Sequence, residues 1–269
     1  MRNSLAFALL FFIGNLTFGQ GNGGTFNGIN KCYKKKFSVA IHVIEDTTGA
    51  TNITDVAIAA DIAALNTIFA PVCASFDICS TYYHPNVRSD TVDLVKNIQN
   101  IEIATLYDVP MVINIYYVEE IVSPISPCGF APLGGMSAPA ASPTRDAIFI
   151  KKSCSGGGKT IMHEVGHYFG LYHTFETSTG VELADGSNCT TTGDLVCDTP
   201  GDPYVDTTTT MDSFCNLEPP ITDTNGDYYT PNACNIMSYY TNSCEGRHFT
   251  TGQYNRMLEV MQKGRNYLW

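Results

Sequence analysis

The stretch from 163 to 173, His-Glu-Val-Gly-His-Tyr-Phe-Gly-Leu-Tyr-His, places the strongest constraint on what this chain can fold into. His163 and His167 are four residues apart, so on a helix their side chains project from one face and can bind one metal ion. Gly170 lets the chain leave that helix through a positive φ angle, which brings His173 back as a third imidazole. Three neutral histidines with one open position are typical of a catalytic zinc site, not of a closed structural one.

Glu164 directly follows the first histidine, where its carboxylate can take a proton from a zinc-bound water. His-Glu-x-x-His alone also arises by accident in unrelated helices, as a pair of solvent-facing histidines. The added Gly170 and His173 cut such chance matches by about three orders of magnitude. The motif therefore predicts one catalytic zinc ion and hydrolysis by a metal-activated water.

The first nineteen residues have the features of a secretory signal peptide. Arg2 supplies the positive end, Leu5 to Ile13 form an apolar run, and Gly19 closes a small-residue cleavage site. The alternative is a buried N-terminal helix. The run is too short to span a bilayer, and nothing later approaches 18 consecutive apolar residues. We therefore expect the signal peptide to be removed and the protein to be secreted, with no membrane partner.

The ten cysteines form an even set, as expected of a disulfide-bonded exported protein. None has Cys-x-x-Cys spacing, so a second, structural zinc site is not expected. Five precede the zinc motif and five follow it. If all ten are paired, at least one bridge must join the two halves of the chain.

The chain is acidic, with 15 Lys and Arg, 26 Asp and Glu and a net charge of −11. This balance argues against nucleic acid and anionic membranes as partners. We also expect the protein to be a monomer. No Lys or Arg lies between Thr174 and Asp227, where eleven acidic residues fall. Clustered carboxylates suit Ca²⁺, although EF-hand spacing is absent and solvated loop carboxylates are the alternative.

Before the zinc motif, the hydrophobic pattern alternates between the periods of strands and helices. It predicts an α+β fold: a twisted mixed sheet with a backing helix and an active-site helix, followed by an irregular disulfide-bonded C-terminal subdomain ending in a helix. The predicted strands are Phe37 to Ile44, Ser75 to Tyr83, Val109 to Val118 and Ala147 to Lys151. The predicted helices are Asn52 to Phe69, with a face through Val56, Ile62, Leu65 and Phe69, and Thr160 to Gly170.

The second half of the chain differs from the first. The segment from Thr174 to Pro231 is rich in Thr, Asp, Gly and Pro, which predicts loops held by disulfides. A final helix begins at Thr251 and stops near Gly264, and its apolar face comprises Tyr254, Met257, Leu258 and Met261. The predicted organisation is a signal peptide at 1–19, a short N-terminal segment at 20–36, a catalytic subdomain at 37–173 and a C-terminal subdomain at 174–269.

A second motif, Asn235-Ile236-Met237-Ser238-Tyr239, lies some sixty residues after the histidines. It fits a tight turn in which Met237 forms an apolar floor beneath them. A lone methionine is more often simple core, but its position after a complete three-histidine motif favours the turn.

With these residues in place, the chain resembles the metzincin zinc endopeptidases, and within them the pappalysin family and its small, secreted, ulilysin-like members. The matching stretches are 163–175, Gly193-Asp194-Leu195-Val196-Cys197-Asp198-Thr199-Pro200, 235–239 and 249–253. The resemblance implies that Glu164 acts as general base and acid and that Tyr239 steadies the oxyanion, a packed aromatic being the alternative. It further implies that His163, His167 and His173 are the zinc ligands, Met237 the turn methionine and Asp198 a calcium ligand.

The resemblance also bears on specificity and latency. It implies a substrate that adds to a cleft-edge strand, which we expect to be Ala147 to Lys151. In ulilysin-like members an acidic residue just before the cysteine after the turn favours arginine beyond the scissile bond. Ser243 stands there in this chain, so we expect a broader preference. Relatives are commonly held latent by a propeptide cysteine on the zinc, but Cys32 lacks a following glycine and is expected in a disulfide.

Two alternatives to a secreted zinc endopeptidase stay open. One is an exported zinc amidase or esterase acting on a non-peptide substrate, and the other is a non-catalytic exported binding module with a vestigial zinc site. The second is weakened because no ligand, base or turn residue is missing from the motifs.

Overall fold

The computed structural model describes residues 32–85, 90–94, 99–134, 146–206, 208–240 and 246–268. The predicted signal peptide and Ser243 lie outside these residues. The predicted boundary between the two subdomains at residue 173 stays a prediction.

The described chain is built from short strands and four helices. The helices are α1 (Asp55–Phe69), α2 (Gln99–Tyr107), α3 (Lys159–Tyr168) and α4 (Thr251–Lys263). The strands are β1 (Lys35–Ile44), β2 (Ala74–His84), β3 (Thr91–Asp93), β4 (Ile113–Val118), β5 (Glu120–Val122), β6 (Gly129–Phe130), β7 (Ala147–Lys151), β8 (Thr210–Met211) and β9 (Leu217–Glu218).

Five of the strands form one mixed sheet in the order β2-β1-β4-β7-β6. β2, β1, β4 and β7 run parallel, and β6 pairs antiparallel with β7. The prediction of a mixed sheet in an α+β fold is confirmed. The central strand β4 is buried along its whole length, as its nearly all-apolar sequence predicts.

Both faces of the sheet are covered. On one face, Ile113, Ile115 and Tyr117 of β4 belong to the main hydrophobic core with residues of α1, α3 and α4. On the other face, Tyr116 and Val118 pack with residues of α2, β3 and β5. Because successive side chains of a strand point to opposite faces, the sheet separates two hydrophobic cores. Helix α3 packs against the face that carries the main core.

The cleft-edge strand is β6, so the prediction that Ala147–Lys151 forms the edge is wrong. β7 pairs with β4 on one side and with β6 on the other, where Gly129 lies opposite Ile150 and Phe130 opposite Phe149. A strand of two residues contains no alternation that a sequence pattern would detect.

The backing helix α1 begins after Thr54, whose side chain accepts a hydrogen bond from the backbone N–H of Ala57. The prediction that Val56 belongs to the buried face is wrong, because Val56 is 79% exposed. The buried row instead runs through Ile58, Ile62, Leu65 and Phe69. By length and composition alone, 55–72 would be able to cross a membrane, with a mean hydropathy of 1.5. Of this stretch, 33% is buried inside the fold, where the row from Ile58 to Phe69 belongs to the main hydrophobic core.

The chain after the zinc motif consists mainly of turns and loops, as predicted, with one short hairpin formed by β8 and β9. Regular secondary structure resumes with α4. Its predicted apolar face is buried in the main core and comprises Tyr254, Met257, Leu258 and Met261. This helix therefore packs the C-terminal segment onto the sheet subdomain.

Three disulfides lie within the described residues: Cys32–Cys73, Cys128–Cys154 and Cys189–Cys197. The prediction that Cys32 is disulfide-bonded is confirmed. Each of these bridges lies within one half of the chain. Cys79 carries a free thiol, so the ten cysteines are not all paired and a bridge between the halves is not required.

Candidate active site

The three histidines of the motif converge on one point. His163 and His167 lie one turn apart on α3, which ends at Tyr168. Gly170 then reverses the chain with a φ of 90°, and a Cβ atom there would lie 2.7 Å from the carbonyl oxygen of Gly134. This reversal brings the Nε2 atom of His173 to 3.2 Å from that of His163 and 3.0 Å from that of His167.

The arrangement of the imidazoles fits a metal ion. The Nδ1 atoms of His163 and His167 donate hydrogen bonds to the carbonyl oxygens of Ile236 and Leu171, at 2.8 and 2.7 Å. A carbonyl only accepts, so these Nδ1 atoms carry the protons and the Nε2 lone pairs face one another. Two ligands of a tetrahedral zinc ion with Zn–N bonds of about 2.0–2.1 Å would lie roughly 3.3 Å apart, close to the spacing seen here.

Electrostatics keep the three rings neutral. Burial, together with the neighbouring imidazoles, lowers the pKa of His163 to about 3 and that of His173 to about 2. Burial also lowers the pKa of His167. Neutral imidazoles are the form that binds a metal, so the site needs no deprotonation before it is loaded.

Glu164 is buried beside the edge strand. A Cβ atom on Gly129 of β6 would lie 2.6 Å from both Cγ and Oε1 of Glu164, so only glycine leaves room for this carboxyl group. Burial raises the pKa of Glu164 to about 8. A carboxyl group with this pKa can both take and release a proton near neutral pH.

Met237 lies under the helix that carries the first two histidines. Its side chain is fully buried, and a Cβ atom on Gly166 would lie 2.6 Å from its Sδ atom. The backbone carbonyl of Met237 accepts a hydrogen bond from the N–H of Thr174, the residue after the third histidine, at 3.2 Å. The turn is thus joined to the metal-site segment by packing on one side and by a backbone bond on the other.

Tyr239 packs against the histidines and faces the site. Its ring centroid lies 4.7 Å from that of His173 and 5.5 Å from that of His163. Burial, and secondarily the charge of Glu164, raises the pKa of Tyr239 to about 12. The phenol therefore stays protonated at neutral pH and can donate a hydrogen bond.

Asp198 occupies the N-terminal end of α4. Its carboxylate accepts hydrogen bonds from the Oγ1 of Thr250 at 2.6 Å and from the N–H of Gly252 at 2.7 Å. These contacts compensate the positive end of the helix dipole. Among the described residues, the only cluster of three or more metal-binding side chains is the histidine triad, and the calcium role of Asp198 stays a prediction.

Asp202 is a supporting residue that the sequence reasoning missed. It is buried, and it accepts hydrogen bonds from the Oγ1 of Thr174 at 2.6 Å and from the hydroxyl of Tyr240 at 2.8 Å. It thus ties the segment after His173 to the segment after Met237. The signal available in the sequence was its place two residues after the matched 193–200 stretch.

Two family models match the chain. The model described as pregnancy-associated plasma protein-A matches residues 102–262, which include all three histidines, Met237 and Tyr239. A model described as reprolysin-like metallo-peptidase matches residues 24–174.

Curated relatives are named extracellular metalloproteases. The protein from Colletotrichum graminicola is 28% identical over 240 residues, covering 83% of this chain and 75% of the relative. The protein from Podospora anserina is 30% identical over 173 residues, covering 60% of this chain and 54% of the relative. The chain therefore spans three quarters of one relative and about half of the other.

Among solved structures, mature mirolysin of Tannerella forsythia in complex with a cleaved peptide superposes with a TM-score of 0.63. The identity is 21%, and the match covers 87% of this chain and 94% of mirolysin. This likeness supports the fold described above.

Proposed function

The chain belongs to the pregnancy-associated plasma protein-A, or pappalysin, family of zinc metalloendopeptidases, and on this premise we propose a role for each residue of its active site. His163, His167 and His173 hold the zinc ion through their Nε2 atoms. The observation that carries this proposal is the set of three Nε2 atoms that approach one another to 3.0–3.2 Å. When bound, zinc supplies Lewis-acid chemistry: it polarises the scissile carbonyl and lowers the pKa of water.

Glu164 moves the proton. Its carboxylate accepts a proton from the attacking water, and the resulting acid donates that proton to the leaving amine as the C–N bond breaks. Burial, which raises the pKa of Glu164, supports the second part of this role because it favours the protonated form that donates to the amine. Tyr239 donates a hydrogen bond from its hydroxyl to the carbonyl oxygen as negative charge develops there.

The substrate is a protein or peptide that binds in an extended form. β6 is the edge of the sheet next to Glu164, so an added peptide strand would pass directly over the general base. Backbone hydrogen bonds would give most of this contact, and they read little of the substrate sequence.

The test compares Glu164→Ala with the wild-type enzyme on casein and on a quenched peptide library. Glu164→Ala should lower kcat/KM by about 10²–10⁴-fold while zinc content, measured by mass spectrometry, stays at one per chain. Glu259→Ala on α4, where the side chain is 42% exposed and pairs with Lys263, is the matched control and should leave both quantities unchanged.

The same assay separates the alternatives. A wild-type enzyme that binds zinc but cleaves no peptide, while it hydrolyses amide or ester substrates, would be an amidase or esterase. A chain that binds zinc and cleaves neither would be a binding module.

We also propose a calcium ion, at a pair of buried carboxylates. The side chain of Glu182 is buried, and its Oε1 atom has no hydrogen-bond partner among the described residues. Burial, together with the charge of Asp194, raises the pKa of Glu182 to about 8. Burial raises that of Asp194 to about 7, and the charge of Asp198 adds to it. A hard cation would compensate these charges, and it would satisfy the free oxygen.

Calcium is tested by reconstitution. Enzyme stripped with EDTA is reloaded with zinc alone or with zinc and calcium, and its melting temperature is measured. Calcium should raise the melting temperature of the wild type but not that of Glu182→Gln. Full recovery of heat stability and activity with zinc alone would remove the calcium proposal.

The names of the relatives support export of this protein. We propose that residues 1–19 act as the signal peptide and that the mature enzyme is a monomer. N-terminal sequencing of the secreted form and size-exclusion chromatography with light scattering test the two statements.

A further inference from the structure

Arg256 of the last helix contacts the chain reversal that leads from α3 to His173. Its Nε atom donates a hydrogen bond to the carbonyl of Gly170 at 2.7 Å, and its Nη1 atom donates to the carbonyl of Asp194 at 3.2 Å. The central carbon of its guanidinium also lies 5.1 Å from the ring centroid of Tyr172. Arg256 therefore contacts both the glycine at the reversal and the residue directly before the third histidine.

The three histidines differ in what sets their positions. His163 and His167 belong to α3, so the helix itself determines their spacing. His173 follows the end of that helix, and its position depends on the path of the backbone through residues 169–172. Contacts to these four residues therefore decide where the third imidazole lies.

Helix α3 holds only part of this segment. The N–H of Leu171 donates to the carbonyl of Gly166 at 2.9 Å, and the carbonyl of Leu171 accepts the Nδ1 proton of His167. The carbonyl of Gly170 instead accepts from Arg256, which lies 86 positions later in the chain. Two different helices thus hold neighbouring residues of the reversal.

The last helix packs closely on the reversal, and arginine is suited to the contact. A Cβ atom on Gly170 would lie 2.8 Å from Cγ2 of Val260, one turn after Arg256 on α4. A guanidinium is planar, carries five N–H donors in fixed directions and stacks on aromatic rings. Arg256 can therefore bond two backbone carbonyls and cover the ring of Tyr172 at the same time.

We propose that Arg256 is a positioning residue for His173. It holds the reversal at Gly170, and it thereby keeps the third imidazole at the spacing that a zinc ion requires. The inference rests on the proposed function, in which His173 is the third zinc ligand. Without Arg256, zinc binding would have to order the reversal as well, so the affinity for zinc would fall.

The first experiment measures zinc affinity by chelator competition in double-mutant cycles. Arg256→Met should weaken zinc binding by about 10–100-fold, the range for residues that orient a metal ligand. Because Arg256 acts through His173, the same substitution should have little effect in a His173→Ala background, whereas in a His163→Ala background its full effect should remain. A general loss of stability would act alike in both backgrounds. The exposed Asn255→Ala on α4 is the matched control and should leave zinc affinity unchanged.

Arg256→Lys is the second variant for the cycles. The lysine keeps the positive charge but lacks the planar set of donors, so zinc binding should weaken, though by less than in Arg256→Met. Melting temperatures identify a variant that fails to fold. If Arg256→Met is such a variant, Arg256→Lys takes its place in both cycles.

The second experiment needs no zinc. Hydrogen exchange of the metal-free enzyme is followed by mass spectrometry in two peptides, one with residues 169–174 and one with the central strand β4. Arg256→Met should speed exchange in the first peptide and leave the second unchanged, because only the first loses a contact. Wild-type exchange rates in residues 169–174 of the variant would overturn the proposal.

Failure of this inference and failure of the proposed function give different results. If His173→Ala alone binds zinc as tightly as the wild type, His173 is not a ligand, and the proposed function fails together with this inference. If His173→Ala weakens zinc binding but Arg256→Met does not, only the role of Arg256 is overturned. The same holds if Arg256→Met weakens zinc binding equally in the wild-type and His173→Ala backgrounds, or if its effect is also lost in the His163→Ala background.

Discussion

The side chains of Asn235 and Gln253 exchange two hydrogen bonds in the protein interior. Nδ2 of Asn235 donates to Oε1 of Gln253 at 2.8 Å, and Nε2 of Gln253 donates to Oδ1 of Asn235 at 3.1 Å. The same Oδ1 accepts the N–H of Met237, and the same Oε1 accepts the N–H of Thr250 at the start of α4. One amide pair therefore holds two backbone segments in position: the turn below the metal site and the N-terminus of the last helix.

Gln253→Ala should destabilise the enzyme and loosen the turn. It removes the partner of a fully buried amide and the capping-box interaction with Thr250, each worth about 1–2 kcal/mol. We expect a lower melting temperature and weaker zinc retention in a chelator competition. The exposed Gln262→Ala on the same helix is the matched control. Unchanged zinc retention in Gln253→Ala would separate the amide pair from the metal site.

Gly166→Ala should be destabilising although alanine is the better helix former. The gain in helix propensity is about 1 kcal/mol, whereas overpacking a buried site costs about 1–3 kcal/mol. The new methyl group would meet the Sδ atom of Met237 at 2.6 Å. Met237→Ala removes this contact, so the loss caused by Gly166→Ala should shrink in that background. Chemical denaturation of the four variants of the cycle measures the coupling.

A control for that substitution exists nearby. A Cβ atom on Gly157 would contact nothing within 4 Å, so Gly157→Ala should leave stability and activity close to those of the wild type. Equal losses at the two glycines would show that loop entropy, and not the contact with Met237, decides the outcome at Gly166.

The sequence predicts those site residues whose positions depend only on the local geometry of the chain. The four-residue spacing of His163 and His167 and the glycine at 170 act within two helical turns, so the motif itself determines where His173 returns. Periodicity likewise predicts α4 and the central strand, although that strand begins at Ile113 and not at Val109. These features need no knowledge of distant chain segments.

The rest of the site depends on contacts between segments far apart in the chain. Asp202 acts through residues 28 positions before it and 38 after it, and the ring of His163 is oriented by the carbonyl of Ile236, 73 positions later. The edge strand β6 has two residues, and glycine at 129 matters because of Glu164, 35 positions later. No local pattern encodes these distances.

Asp61→Ala should shift the active-site helix α3, although the substituted residue lies in α1. Oδ1 of Asp61 accepts the N–H groups of Gly156 and Gly158 at 2.8 and 3.0 Å, and Oδ2 accepts the hydroxyl of Tyr117 at 3.1 Å. These glycines form the loop that leads into α3. The alanine leaves buried donors unsatisfied, at about 1–3 kcal/mol, so both the melting temperature and kcat should fall.

Asp61→Asn is the conservative comparison, because its side-chain oxygen can still accept from the loop. It should retain more activity than Asp61→Ala. The exposed Asp77→Ala on β2 controls for the loss of one negative charge, since a surface ion pair contributes little. An Asp61→Ala enzyme with wild-type kcat would mean that the loop is held by its backbone alone.

The buried carboxylates near Gly193 should make stability depend on pH in an unusual direction. In the metal-free enzyme the pKa of Glu182 is about 8 and that of Asp194 about 7, above their ordinary values of 4.5 and 3.8. The folded state therefore binds these protons more tightly than the unfolded state. Their contribution is fully present below about pH 4 and is lost as the pH rises through 7 to 8.

Glu182→Gln removes one titrating group and isolates this effect. Without metals, the variant should melt close to the wild type at pH 5 and above it at pH 8, because at pH 8 only the wild type carries the charge of Glu182 beside that of Asp194. The low pKa values of the three histidines act on both proteins alike and cancel in the difference. The exposed Glu218→Gln is the control, with no pH-dependent difference expected. With calcium added at pH 8 the order should reverse, since the wild type then gains a ligand that the variant lacks. A difference that stays constant from pH 5 to pH 8 would contradict the burial of this charge.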